Sequence, residues 1–187
     1  MKKTLFCAFF CCLTLLTFAQ SAFEPETTDQ QPDLLKKQIT AFKIDKAPDI
    51  DGDLSDEAWL SSTSIATDFI TLDPTFGEKA TFPTEVKVLY DNTGIYVSAK
   101  MYDNQPDSIR QQIVERDGIG NADWFGVFID PYKGGINGME FIVTAAGVQF
   151  DALATPNGED EGWDAVWKSA VNITNEGWVA ELKIPYS

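Results

Sequence analysis

The chain has 187 residues, with 14 Lys and Arg against 29 Asp and Glu, no His and three Cys. Without an imidazole it can build no Ser-His-Asp triad, no His-ligated zinc and no His-ligated haem, and a formal charge of −15 opposes nucleic acid and anionic membrane surfaces. A hydrophobic share of 44% with 12% aromatics is that of a domain able to bury a core.

In chain order, residues 1–19 read as an export signal. Lys2 and Lys3 form the charged start, an apolar run follows, and Thr17 and Ala19 flank Phe18 where a signal peptidase wants small residues. The run is shorter than the roughly 20 apolar residues of a membrane anchor, and Phe9 and Phe10 stand where a lipoprotein signal needs small side chains. Cleavage removes Cys7, Cys11 and Cys12, so the expected product is exported, acidic and free of disulfides. It must hold together through its core. Residues 20–38 are polar and aperiodic and read as a flexible leader.

From residue 39 onward short alternating segments recur, at 39–44, 84–90, 95–102, 124–129, 139–145, 148–152, 166–171 and 178–184. Val86, Val88 and Tyr90 share one face of their segment, as do Ile95, Val97, Ala99 and Met101 of the next. Asp91-Asn92-Thr93-Gly94 between them is a hairpin turn, and Ala146-Gly147 is another. Residues 55–60 form the best short helix, with Ser55 as its cap. About eight or more strands with one or two short helices predict an all-β antiparallel sandwich over residues 39–187.

Asp49-Ile50-Asp51-Gly52-Asp53 begins like an EF-hand, but the glycine arrives too early and Leu60 stands where a bidentate Glu is required, so a tight turn feeding the helix is expected instead. Asp103 and Asp130 each end a strand and are the candidate ligands for calcium, the one metal that these hard oxygen donors suit. No cofactor is required. The competing reading of both is a solvated loop carboxylate.

Trp59 and Trp178 fall on apolar faces and are expected in the core. Phe125, Val127 and Ile129 take one face of their strand, which puts Trp124, Gly126 and Phe128 on the other. Trp124 and Trp163 are the candidate exposed rings, able to stack on the CH face of a pyranose, with Arg116 and Glu140 as candidate polar partners at the same surface. A carboxylate pair for glycoside hydrolysis, such as Asp123 and Glu140, is the enzymatic alternative, though so acidic a chain produces pairs by chance.

Several blocks together resemble a family 9 carbohydrate-binding module. They are Ile50-Asp51-Gly52-Asp53-Leu54 through Trp59, Val86 to Asp91 with Gly94 to Val97, Asp123 to Pro131, Glu140-Phe141 to Gly147, and Gly177 to Glu181 with Ile184-Pro185. Trp163-Asp164-Ala165-Val166-Trp167 ahead of Gly177-Trp178 resembles the modules at the N-terminus of large exported bacterial proteins with a barrel-like C-terminal region. The resemblance implies a β-sandwich that binds polysaccharide or oligosaccharide, with structural calcium in some members, and no catalysis of its own. It also implies a location in the periplasm, at the outer membrane or outside the cell, and a role beside polysaccharide breakdown. Characterised sugar-binding members carry Glu, Arg and Asn where this chain has Gly126, Ile142 and Thr144. An accessory or assembly domain of an outer-membrane protein, without sugar binding, is therefore the second reading. Pro185-Tyr186-Ser187 follows the last strand with no polar tail, which predicts that a longer chain continues it.

Overall fold

The computed structural model describes residues 37–186. The export signal and the leader up to residue 36 lie outside the described residues. Nine strands form two sheets, in which β1 (Phe42–Lys43), β2 (Thr84–Tyr90), β3 (Gly94–Tyr102), β9 (Gly177–Pro185) and β8 (Lys168–Thr174) lie side by side in that order. The second sheet has the order β4 (Trp124–Ile129), β5 (Gly138–Thr144), β6 (Gln149–Thr155) and β7 (Gly158–Asp160). All pairs are antiparallel except β1 with β2. The predicted antiparallel sandwich is the observed fold.

Alternation decides which residues meet between the sheets. Val86 and Val88 lie opposite Ala99 and Val97, which lie opposite Ala180 and Leu182 on β9. These residues pack with Phe141 and Val143 of β5, and with Phe125, Val127 and Ile129 of β4, in the main core. Trp178 is buried in that core, as its alternation predicts.

The hairpin between β2 and β3 is held by Asp91. Its Oδ1 accepts the Thr93 amide at 2.6 Å, the Thr93 hydroxyl at 2.7 Å and the Gly94 amide at 3.1 Å, and its Oδ2 accepts the Tyr96 hydroxyl at 3.0 Å. Burial raises this carboxyl, but the bonds from Thr93, Tyr96 and Gly94 outweigh it and leave Asp91 below the usual carboxylate range.

The outer faces of the two sheets are treated differently. On the five-stranded sheet, Leu89 and Tyr96 pack under Ile44 and Trp59 of the segment that precedes β2, which carries helix α1 (Glu57–Ser61). Glu181 of β9 is fully buried beneath that segment. Its carboxylate accepts the amides of Asp51 at 3.1 Å and Gly52 at 2.6 Å and the Trp59 indole N–H at 2.7 Å. Burial pushes Glu181 above the ordinary carboxylate value, and these three donors hold it back. Gly52 has φ +89°, and a Cβ there would stand 3.1 Å from the Val171 carbonyl oxygen, so the turn requires glycine on both counts.

The Asp-Gly segment is thus the tight turn that was expected. Asp51 and Asp53 cap the amides of Asp53 and Ser55 in succession. The helix starts slightly later than predicted, with Asp56 rather than Ser55 at the N-cap.

Candidate functional site

The outer face of the four-stranded sheet has much less cover among the described residues. The register places Trp124, Gly126 and Phe128 of β4 abreast of Thr144, Ile142 and Glu140 of β5, and Ile142 and Glu140 abreast of Phe150 and Ala152 of β6. Ile142, Phe150 and Ala152 form a small buried cluster with Ile119 packed against it. Trp124 and Phe128 stay 48% and 60% exposed. Gly126 lets them do so as one surface. A Cβ at Gly126 would meet Trp124 Cζ3 at 3.1 Å, Phe128 Cε2 at 3.2 Å and Ile142 Cγ1 at 3.1 Å, so both rings lean over the gap that the glycine leaves.

The other residues singled out from the sequence are placed as follows. Trp163 is half-buried and packs edge-on against Phe141, with centroids 5.9 Å apart, on the core side of the sheet. It therefore shares no surface with Trp124, which corrects the expected pairing of those two rings. The reason is that Phe141 faces inward and offers an apolar edge that a loop indole can cover.

Arg116 is also turned away from the Trp124 face. Its guanidinium bonds the Asp151 carboxylate, and also Gln149 Oε1 at 2.7 Å and the Ala165 carbonyl at 3.3 Å. Asp151 lies opposite Phe141 on the inward face, is fully buried, and additionally accepts the Ala165 amide at 2.6 Å and the Trp167 indole N–H at 3.0 Å. Arg116, Gln149 and Trp167 line an open hollow of about 550 Å³. Their polar groups already satisfy one another, so this hollow is the by-product of a structural tie.

Glu140 does lie on the same face as Trp124. It is only 5% exposed, and its carboxylate accepts no hydrogen bond among the described residues. Burial, and secondarily the charge of Glu159, push it above the ordinary value. It lines a shallow cavity of about 250 Å³ with Phe128, Asn137 and Ala154. Asp123 cannot partner it. The Asp123 carbonyl accepts the Ala145 amide, five positions along the ladder from the Phe128–Glu140 pair, roughly 17 Å at the strand rise. That is beyond the ~5–9.5 Å of glycosidase carboxylates, and Asp123 has the opposite facing.

Asp103 and Asp130, the candidate calcium ligands, follow β3 and β4 and so belong to different sheets. Asp103 caps the Gln105 amide at 2.6 Å, Asp130 spends both oxygens on the amides of Tyr132 and Gly135, and no three acidic side chains converge to hold a metal among the described residues. The Gly135 amide in particular keeps Asp130 below its ordinary value.

Two contributors were missed by sequence reasoning. Phe128 was placed on the right face but not counted as a site residue, although the Trp124-Phe125-Gly126-Val127-Phe128 pattern carries the signal. Glu159 of β7 had none, because nothing local marks Gly158–Asp160 as a strand.

These features define a class of protein: a β-sandwich with one outer face closed by its own N-terminal segment and one presenting an aromatic platform, the construction of a binding module. A model of the carbohydrate family 9 binding domain-like family matches residues 50–187, and the chain belongs to that family. Two solved structures of a family 9 carbohydrate-binding module from Caldicellulosiruptor kristjanssonii share the fold, one in complex with glucose and one with cellotriose. Each is 15% identical over 79% of this chain, covering 67% and 68% of the respective module, with TM-scores of 0.50 and 0.54. At that identity the likeness speaks for the fold. No curated protein matches the sequence.

Proposed function

We propose that this chain is a non-catalytic carbohydrate-binding module that takes a polysaccharide or oligosaccharide on the outer face of the four-stranded sheet. One observation carries the reading: the exposed rings of Trp124 and Phe128 lean over Gly126 and form a single apolar platform with Ile142 beneath. Such a platform can remove water from the CH faces of a sugar chain, whose hydroxyls stay in solvent around the rim. Family membership supports it, as do the complexes of the two related modules with glucose and cellotriose.

Titration with cellotriose is expected to perturb tryptophan fluorescence and to yield a measurable Kd, the same with calcium or with a chelator. Trp124→Ala and Phe128→Ala should each weaken binding by about 1–3 kcal/mol, the range of interface anchors, with the melting transition unchanged. Absence of binding to any oligosaccharide, or unaltered affinity in both variants, would defeat the proposal. The second reading, an accessory or assembly domain of an outer-membrane protein, is favoured by Gly126, Ile142 and Thr144, which stand where sugar-binding members carry Glu, Arg and Asn, and the first of those results would support it.

The reading includes export, supported by Lys2, Lys3 and the apolar run before Gln20. The mass of the protein recovered from outside the cytoplasm should place its N-terminus within a few residues of Gln20, and an intact Met1 there would refute export by cleavage.

A further inference from the structure

This partly covered face carries more than an aromatic platform. Phe128, Glu140 and Ala152 stand abreast on β4, β5 and β6, and in the next row Gly138, Ala154 and Glu159 stand abreast on β5, β6 and β7. Phe128 and Glu159 are thus three strand spacings and one two-residue step apart, about 16 Å, and only small residues and Glu140 lie between them. The result is a trough with an aromatic wall on one side and a carboxylate on the other. A cavity of about 250 Å³ occupies its Phe128 and Glu140 side, bounded at one end by the turn that Asp130 ties together, with Glu159 beyond its lining.

The electrostatics of this trough are one-sided. Glu140 is nineteen-twentieths buried and takes no hydrogen bond from the described residues, while its carboxylate oxygens keep some contact with solvent. Burial acts on it first and the like charge of Glu159 second. Asp130 adds a further negative group at the rim, no Lys or Arg lines the cavity, and Lys133 of the rim turn is exposed and outside the lining. The Phe128 ring presents a face that attracts cations. A neutral hydroxyl could donate to Glu140 yet would leave the repulsion from Glu159 in place. A protonated amine would relieve both, and the chain's formal charge of −15 would draw it in.

We propose that the trough between Phe128 and Glu159 is a subsite for a cationic amino sugar, a pyranose unit whose amine is free and protonated. This rests on the saccharide reading above and adds the chemical class that the site prefers. The amine would sit against Glu140, with Glu159 as a second, more solvated counter-charge, while the sugar ring lies on Phe128.

The test is calorimetric titration of the full chain at pH 6 and fixed ionic strength with three trisaccharides: fully deacetylated glucosamine trimer, its N-acetylated form and cellotriose. The deacetylated trimer should bind at least about tenfold more tightly than either of the others, the effect of one charge-assisted contact. Glu140→Gln should bring that ratio to within about twofold, and Glu159→Gln should reduce it by less. Glu140→Gln removes an uncompensated buried charge, so its melting temperature should not fall. Glu159→Gln, on an exposed strand, supplies an independent arm if it does.

Cellotriose binding as tightly as the deacetylated trimer would overturn the inference and leave the saccharide reading standing. Failure of all three to bind would remove both. A preference for the deacetylated trimer that survives Glu140→Gln and Glu159→Gln alike would mean general adsorption to an acidic surface, and would also overturn the inference.

Discussion

Replacing Glu181 with Ala is expected to lower the free energy of unfolding by about 3–5 kcal/mol, the largest effect of any single substitution outside the apolar core. The Gly52 amide and the Trp59 indole N–H are buried and bond only to this carboxylate, so each would be left without a partner at a cost of about 1–3 kcal/mol. The cavity left by the side chain adds to that. Against a typical total of about 5–15 kcal/mol this is a large fraction. Denaturant unfolding of the variant measures it directly. Detachment of the N-terminal segment should also expose Trp59, raising solvent quenching of tryptophan fluorescence under conditions where wild type is unaffected. A loss below about 1 kcal/mol would mean that packing of Ile44 and Trp59 on Leu89 and Tyr96 holds the segment without the carboxylate.

Asp151→Ala should cost about 2–4 kcal/mol for a related reason with one difference. Asp151 also serves an indole and a backbone amide, those of Trp167 and Ala165, but its third partner is Arg116, whose side chain is 39% exposed. Water can take over that guanidinium, so the loss is smaller than for an ion pair sealed in a core, and Arg116→Ala alone should also destabilise, because it leaves the fully buried Asp151 without its counter-charge. Hydrogen exchange should accelerate across residues 163–167 in Asp151→Ala, while the Trp124 face and its ligand titration stay as in wild type. If sugar affinity fell instead with stability unchanged, Arg116 and Asp151 would belong to the binding site, contrary to their placement here.

The two carboxylates do the same work, one in each sheet. Each lies in a strand and is fully buried, and each captures an indole N–H together with the backbone amides of a segment that would otherwise have nothing to bond. One device closes the outer face of the five-stranded sheet and the other closes the flank of the core at Phe141, where Trp163 and Trp167 pack edge-on. The face that neither device reaches is the one that presents Trp124 and Phe128. Stability and the proposed function are thereby kept on different surfaces, so the binding variants proposed above should be separable from the stability variants.

Alternation of apolar and polar residues was sufficient to predict β2, β4 and the β2–β3 hairpin, and to put Trp124, Gly126 and Phe128 on one side of their strand. Those are local properties, because the side-chain period of a strand is set by its own backbone. Short or irregular elements escaped: β7 is three polar or flexible residues whose strand character comes from pairing with Leu153, Ala154 and Thr155, and β1 shrank to Phe42–Lys43 because only those two residues pair with β2.

The positions of the charged residues were beyond local reading altogether. Glu181 meets Asp51 across 130 residues of sequence, and Arg116 meets Asp151 across 35. Glu140 is buried only because Phe128 and Ala152 flank it in register. A strand's sequence determines which side a residue takes. Whether that side meets a second sheet, a folded-back segment or solvent depends on contacts made by distant parts of the chain, because burial and hydrogen-bond partnership are properties of the neighbours that folding brings together.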